Sequence, residues 1–430
     1  MKKIKLIFST LFFLAATIGF SQMPKGRTGT FALTNATIET VTNGTIQKGT
    51  LIISDGMISE VGTNVAIPSG AETIDCTGLT IYPGMIDGGA QLGLVEISAV
   101  DRTRDNNEVG NINPHIQALT AVNPNSALIP VTRVSGVTST LAMPSGGLFS
   151  GTASLINLHG YNPDQMFAGF KGIVMNFPAT GRRGRWDRRS DDDIKKAAEK
   201  ALKELNDVWG KAIQYHKIDS ATNGKDQAYY PEMEAMLPVV RDEMKLLINV
   251  NSANDIKSAL KWIEEKKANA ILCGVMEGWR VAEEIAEAGV PVITGPVLSN
   301  PTRAYDRYDR PYANAGIMQK AGVKVAIRTN DTENVRNLPY NAGFAAAYGM
   351  GQKEALKAIT IVPAEIFGVS DKYGSLEKGK VANLFVTDGD PFETKTNVKH
   401  VFISGWMIPM VSRHTQLYDE FLERSPGVKK

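Results

Sequence analysis

From residue 136 onward the chain returns again and again to short apolar runs: GVTSTLAM, GIVMNF, KLLINVN, ANAILCG, GVPVITG and GVKVAIR. Several open on Gly-Val, and none shows a polar face. A strand that is apolar on both sides must be covered on both sides, as in parallel sheets flanked by helices. Amphipathic helical patterns fall between the runs, at Asp255 to Lys266, Glu277 to Gly289 and Lys353 to Ile359. Repeated strand–helix units over about 280 residues predict an α/β fold, a (β/α)8 TIM-type barrel. The runs supply six or seven of the eight strands. One middle strand is not placed by the sequence.

The two ends of the chain read differently. FALTNATIET, GTLIISDGMISEVG and AETIDCTG alternate apolar with polar residues and break at Gly, Asn and Asp. That pattern predicts a small antiparallel sheet.

Lys2, Lys3 and Lys5 precede a mostly apolar stretch from Leu6 to Phe20, and small residues stand at Gly19 and Ser21. This predicts a signal peptide over 1–21, cleaved near Gln22, and export to the periplasm or the exterior. No later stretch is long and apolar enough to span a membrane. The whole chain holds 47 basic and 45 acidic residues, so losing three lysines leaves the mature protein near neutral. That balance gives no case for nucleic acid or an anionic membrane as partner. Cys76 and Cys273 are the two cysteines, and both read as small buried residues rather than a disulfide pair. Residues 180–228 begin with GRRGRWDRRSDDD and continue as a charged helix. The plain reading is a solvated surface helix; the functional reading is a substrate-facing loop carrying Arg182, Arg183 and Arg185.

The segment IYPGMIDGGAQLG, Ile81 to Gly93, resembles the opening barrel strand of the amidohydrolase superfamily. There, PG, two apolar residues and Asp lead into His-x-His. ILCGVMEGWRVAEEIAEAGVPVITG, ALKAIT-x-x-PAEIFGV and GSLEKGKVANLFV resemble the imidazolonepropionase-like branch of that superfamily. The resemblance covers roughly Phe31 to Ile408. It implies that strands from both ends, the second set in KVANLFVTDGDPF and VKHVFISGWMI, build one β-sandwich beside the barrel. Neither half could bury its apolar face alone. The implied divisions are 22–82 and 370–412 for the sandwich, 83–369 for the barrel, and 413–430 for a tail.

The resemblance further implies zinc or another divalent metal at the strand ends, where it would lower the pKa of a bound water to about 7. Histidines on the first and middle strands and an Asp on the last would hold it. Here Gly89 and Gln91 replace the first pair. KLLINVNS carries Asn249 and Asn251, ILCGVMEG places Gly274, and VKVAIRTND ends in Asn330 and Asp331. Depending on a one-residue offset, the family carboxylate survives as Asp331 or is replaced by Asn330. Amide groups are weak ligands for such metals, so no bound metal is expected. The five histidines, His115, His159, His216, His400 and His414, read as structural or surface residues, with His115 nearest the active face.

What remains is a polar pocket formed by Asp87, Gln91, Asn249, Asn251, Arg328 and Asp331, with Arg303, Asp306 and Tyr308 on a neighbouring loop. Asp331 is the single candidate catalytic carboxylate. By resemblance the protein is a hydrolase of C–N bonds other than peptide bonds. By its residues it is a relative with reduced or lost catalysis. The alternative is a non-catalytic protein that binds a small polar ligand, forms a homo-oligomer or pairs with an active amidohydrolase.

Overall fold

The computed structural model describes residues 25–181, 187–223 and 228–424. The signal-peptide reading and Arg182, Arg183 and Arg185 lie outside the described residues.

Two eight-stranded sheets organise the chain. The first contains β1 (Phe31–Glu39), β2 (Thr45–Ser54), β3 (Met57–Gly62), β4 (Glu72–Asp75) and β5 (Thr80–Pro83). Its path continues through strands from the far end of the chain: Leu384–Thr387, Val398–Ile403 and Trp406–Ile408. The join is antiparallel, with Pro83 opposite Leu384 and Thr80 opposite Thr387. Phe31, Leu33, Ile53, Ile81, Leu384 and Phe402 form its buried face, contributed by both ends. Sharing one face this way gives each half the apolar partner it lacks.

The barrel sheet runs in sequence order. It comprises β6 (Met85–Ala90), β7 (Val137–Ala142), β8 (Phe149–Asn157), β9 (Phe167–Asn176), β10 (Lys245–Val250), β11 (Ala270–Gly274), β12 (Val292–Thr294) and β13 (Val325–Ile327). β8 is the strand the sequence did not place. It pairs antiparallel with both β7 and β9, while the other ladders are parallel. Seven strands therefore share one direction and one is reversed, which corrects the expectation of eight strand–helix repeats. The physical reason is the short link after Ala142, which contains Gly146 and Gly147. A link of that size can close a hairpin but cannot make a parallel crossover.

β6 and β13 are the two ends of this sheet, and the segment after β13 is hydrogen-bonded to the end of β6 and the residue beyond it. Asn330 N donates to Gly89 O at 3.0 Å, and Gln91 N donates to Asp331 O at 3.0 Å. Inside, Ile86, Leu141, Val174, Leu247, Ile271 and Ile293 pack as an apolar plug, so the barrel is a filled core rather than a pore. The charged helix spans Asp191–Thr222, capped by Ser190, whose side chain accepts from Asp193 N. It is not merely solvated: Leu205, Val208, Trp209 and Ala212 are buried. Trp209 meets Trp262 edge to face at 5.2 Å, which docks it onto the helix Ala253–Lys266. No helix among the described residues is long and apolar enough to cross a membrane. Cys76 and Cys273 are both free and buried.

Candidate functional site

The carboxyl ends of the barrel strands carry the polar residues singled out above. Asp87 lies on β6 with no exposure. Its carboxylate accepts from Gly89 N at 2.8 Å and from Thr329 Oγ1 at 2.5 Å, with Thr329 N at 3.2 Å. Burial pushes its carboxyl up to about 7, against the pull of the Thr329 and Gly89 hydrogen bonds and of nearby Arg328. Asp87 thus acts as a clip that ties the first barrel strand to the segment after the last.

Arg328 follows β13 and is 5% exposed. Its stem passes over Gly89, where an added Cβ would stand 3.4 Å from Arg328 Cδ and 2.4 Å from Met143 Sδ. Its guanidinium reaches Asn249 at the end of β10. Arg328 Nη1 lies 3.3 Å from Asn249 Oδ1 and 3.5 Å from Met143 Sδ. Nε has no partner. Burial lowers the pKa of this group from its ordinary value. Arg328 therefore bridges two of the positions that the resemblance assigns to metal ligands.

Asn249 continues the chain of contacts. Its Nδ2 donates to Asn176 Oδ1 at 3.0 Å, and Asn176 Nδ2 donates to Gly147 O at 2.8 Å and Ser150 Oγ at 3.0 Å. Asn249, Asn251, Asn176 and Glu277 line an open cavity of about 910 Å³ over β9, β10 and β11. Gly274 has a left-handed φ of 89°, and a Cβ there would stand 2.4 Å from Asn251 Oδ1. Neither Gly274 nor Gly89 has room for a larger side chain without a neighbour moving.

Glu277 was not singled out by the sequence. It is 2% exposed and holds the cavity wall together. It accepts from Arg303 Nε and Nη2, each at 2.6 Å, from Thr302 Oγ1 at 2.7 Å and from Ala253 N at 3.0 Å. Burial alone would raise its carboxyl, but the bonds from Arg303, Ala253 and Thr302 bring it below the ordinary carboxylate range. The signal that could have found it is the pairing of an acid just past a strand end with Arg303 on the next loop.

The remaining candidates are not drawn into one cluster. Gln91 and Asp331 are at the same end of the barrel, joined backbone to backbone, but they do not line the large cavity. Asp331 Oδ1 accepts from Thr332 N, Glu333 N and Asn334 N at 2.6, 3.0 and 3.1 Å. A carboxylate so engaged caps its own turn, with Oδ2 accepting from Asn334 Nδ2 at 3.3 Å. Asn330 is exposed, with a left-handed φ of 51°. Asp306 pairs with Arg280. Tyr308 is 68% exposed and bonds to Tyr348, so it too falls outside the pocket. His115 lines a separate cavity of about 360 Å³. His159 packs against Trp406 at 5.1 Å, and His216 Nδ1 lies 3.3 Å from Ser220 Oγ. Among the described residues, no three His, Cys, Asp or Glu side chains are grouped so as to hold a metal ion.

Comparison with known proteins adds four findings. The model of the amidohydrolase family matches residues 132–408. Amidohydrolase tasK of Hapsidospora irregularis is 21% identical over 391 residues, covering 83% of this chain but only 39% of that relative's length. The imidazolonepropionase of Mesorhizobium japonicum is 24% identical over 405 residues, 84% of this chain and 93% of its own. The crystal structure of an amidohydrolase from Thermotoga maritima aligns with a TM-score of 0.77 at 25% identity, covering 89% of this chain and all of that one.

Proposed function

The chain belongs to the amidohydrolase family, and from that premise we propose an exported member in which metal-assisted hydrolysis of non-peptide C–N bonds is reduced or lost, and whose barrel mouth binds a small polar ligand without a metal ion. The observation that carries this reading is Arg328, whose stem passes over Gly89 and whose guanidinium reaches Asn249. These residues do not fit a divalent metal. The positions that would hold it offer glycine and amide groups, and amides bind such ions weakly. A fixed guanidinium beside these positions would oppose a divalent ion by charge repulsion.

Loss of the ion removes the means of making hydroxide at neutral pH. Free water keeps a pKa near 15.7, against about 7 on a catalytic zinc. General-base help contributes roughly 10²–10⁴-fold, which does not close that gap. Asp331, moreover, already spends its Oδ1 on its own turn. The cavity supports the ligand-binding half of the reading: its lining is polar, and of its two buried acids Glu277 is matched by Arg303 while Asp255 accepts from Thr180 and Ser252.

The test is elemental analysis of the purified mature protein, run beside hydrolysis of cyclic amides and N-acyl amino acids with and without chelator. The expected result is no stoichiometric metal and no chelator-sensitive turnover. One equivalent of zinc with turnover abolished by chelation overturns the proposal. Export is tested separately by N-terminal sequencing of the secreted protein, expected to begin near Gln22.

A further inference from the structure

Arginine presents a pair of parallel N–H groups along its Nε–Nη2 edge, a geometry that matches the two oxygens of a carboxylate. The wall of the large cavity shows that edge satisfied. Arg303 uses its Nε and Nη2 to grip both oxygens of Glu277 at 2.6 Å each. Arg328 is the more buried of the two, yet its same edge is unmatched. Nε has no partner. The described contacts of the group are two long ones, both from Nη1. The nearest acid, Asp87, gives its oxygens to Gly89 N and to Thr329 instead.

A buried cation without a hydrogen-bonded anion is costly, and such groups are ordinarily paired. Resting on the metal-free reading above, we propose that Arg328 is the anchor of a carboxylate subsite, and that the ligand is a small monocarboxylate with an amide- or hydroxyl-bearing body. The carboxylate takes the Nε–Nη2 edge. The polar body lies in the cavity that Arg328 meets through Asn249, where Asn251 and Asn176 offer further amide donors and acceptors. A single negative charge is preferred to a doubly charged phosphate, because Asp87 and Glu277 flank the site. Met143, the side chain resting on Nη1, is unbranched and flexible enough to yield on entry.

The experiment is calorimetric titration of the full mature protein with three probes: N-acetylglycine, its neutral amide N-acetylglycinamide, and inorganic phosphate. N-acetylglycine is expected to bind at one equivalent, at least tenfold more tightly than either of the others. Two variants locate the site. Arg328→Met removes the fork while filling similar space, and is expected to weaken N-acetylglycine at least tenfold. Asn249→Asp leaves the arginine in place but sets a carboxylate where the 3.3 Å amide contact now stands. This built-in counter-ion is expected to exclude the probe to the same degree, and it keeps the test decisive should the first variant not fold. No binding of N-acetylglycine, equal binding of the neutral amide, preference for phosphate, or undiminished binding by Asn249→Asp each overturns the proposal. Stoichiometric zinc would instead overturn the metal-free reading itself, so the two failures are distinguishable.

Discussion

Arg328→Met should make the ligand-free protein more stable. The wild-type group keeps a buried N–H without an acceptor, and an unsatisfied buried donor costs about 1–3 kcal/mol. Against this, the substitution loses contacts at 3.3 and 3.5 Å, long enough to be worth about 0.5 kcal/mol each at most. Asn249 is half-buried and lines the open cavity, so water can take over its freed oxygen. Methionine follows the arginine stem and meets the sulfur of Met143, so overpacking is small. The net expectation is a gain of roughly 1–2 kcal/mol, within the range seen when buried ionic groups give way to apolar ones. Urea denaturation followed by tryptophan fluorescence reads it as a higher midpoint at unchanged slope. Saturating N-acetylglycine should then narrow the difference by about 1.3 kcal/mol or more, since a ligand at 100 times its Kd adds about 2.7 kcal/mol and one bound tenfold more weakly adds about 1.4. A variant less stable than wild type by 1 kcal/mol or more, without ligand, would refute the reasoning, because it would mean that the guanidinium is already satisfied.

Three further outcomes are expected. Glu277→Gln leaves Arg303 without its counter-charge and should cost about 2–3 kcal/mol, less than a fully buried pair because Arg303 is partly exposed; denaturation midpoints measure the loss, and hydrogen exchange should show residues 296–310 loosened first. His159 is held neutral, its pKa lowered to about 4 by burial and secondarily by Arg133. The unfolded chain binds a proton near 6.5, so stability is whole above that pH and falls as the pH drops toward 4; His159→Asn should flatten this part of the pH–stability curve. Gly89→His combined with Gln91→His should not recover zinc or turnover, because a side chain at 89 collides with Met143 and Arg328 remains; metal content and hydrolysis of N-acyl amino acids decide it.

The barrel was legible where its strands are buried on both faces. β11 and β12 have no exposed residue, and ILCG and VIT carry that burial openly in their side chains. β8 is equally buried, but FSGTASLIN reaches that state with Gly, Ser, Thr and Ala, and two of its small polar groups find partners inside. Ser150 and Thr152 each have one, and those pairings have no signature along the chain. In the site, the exchange of ligand-type residues for Gly89, Asn249 and Gly274 could be read directly. Where Arg328 goes could not, since a strand-end arginine is equally able to point to solvent. The turn role of Asp331 was hidden for a related reason. Asp followed by Thr-Glu-Asn offers either a free carboxylate or one folded back on its own backbone, and the sequence does not choose between them.

The pairing of residues 80–83 with residues 384–387 has a consequence for how the molecule is made. Everything between them must be synthesised before β5 meets its partner, so for most of that time the early sheet carries a bare edge. Such an edge invites pairing with other chains, and contacts this distant form late. The last strands therefore serve as a completeness check. A chain cut short by even its final fifty residues would keep nearly all of its barrel yet expose an unpaired strand beside an apolar face, a natural target for proteases and a seed for aggregation.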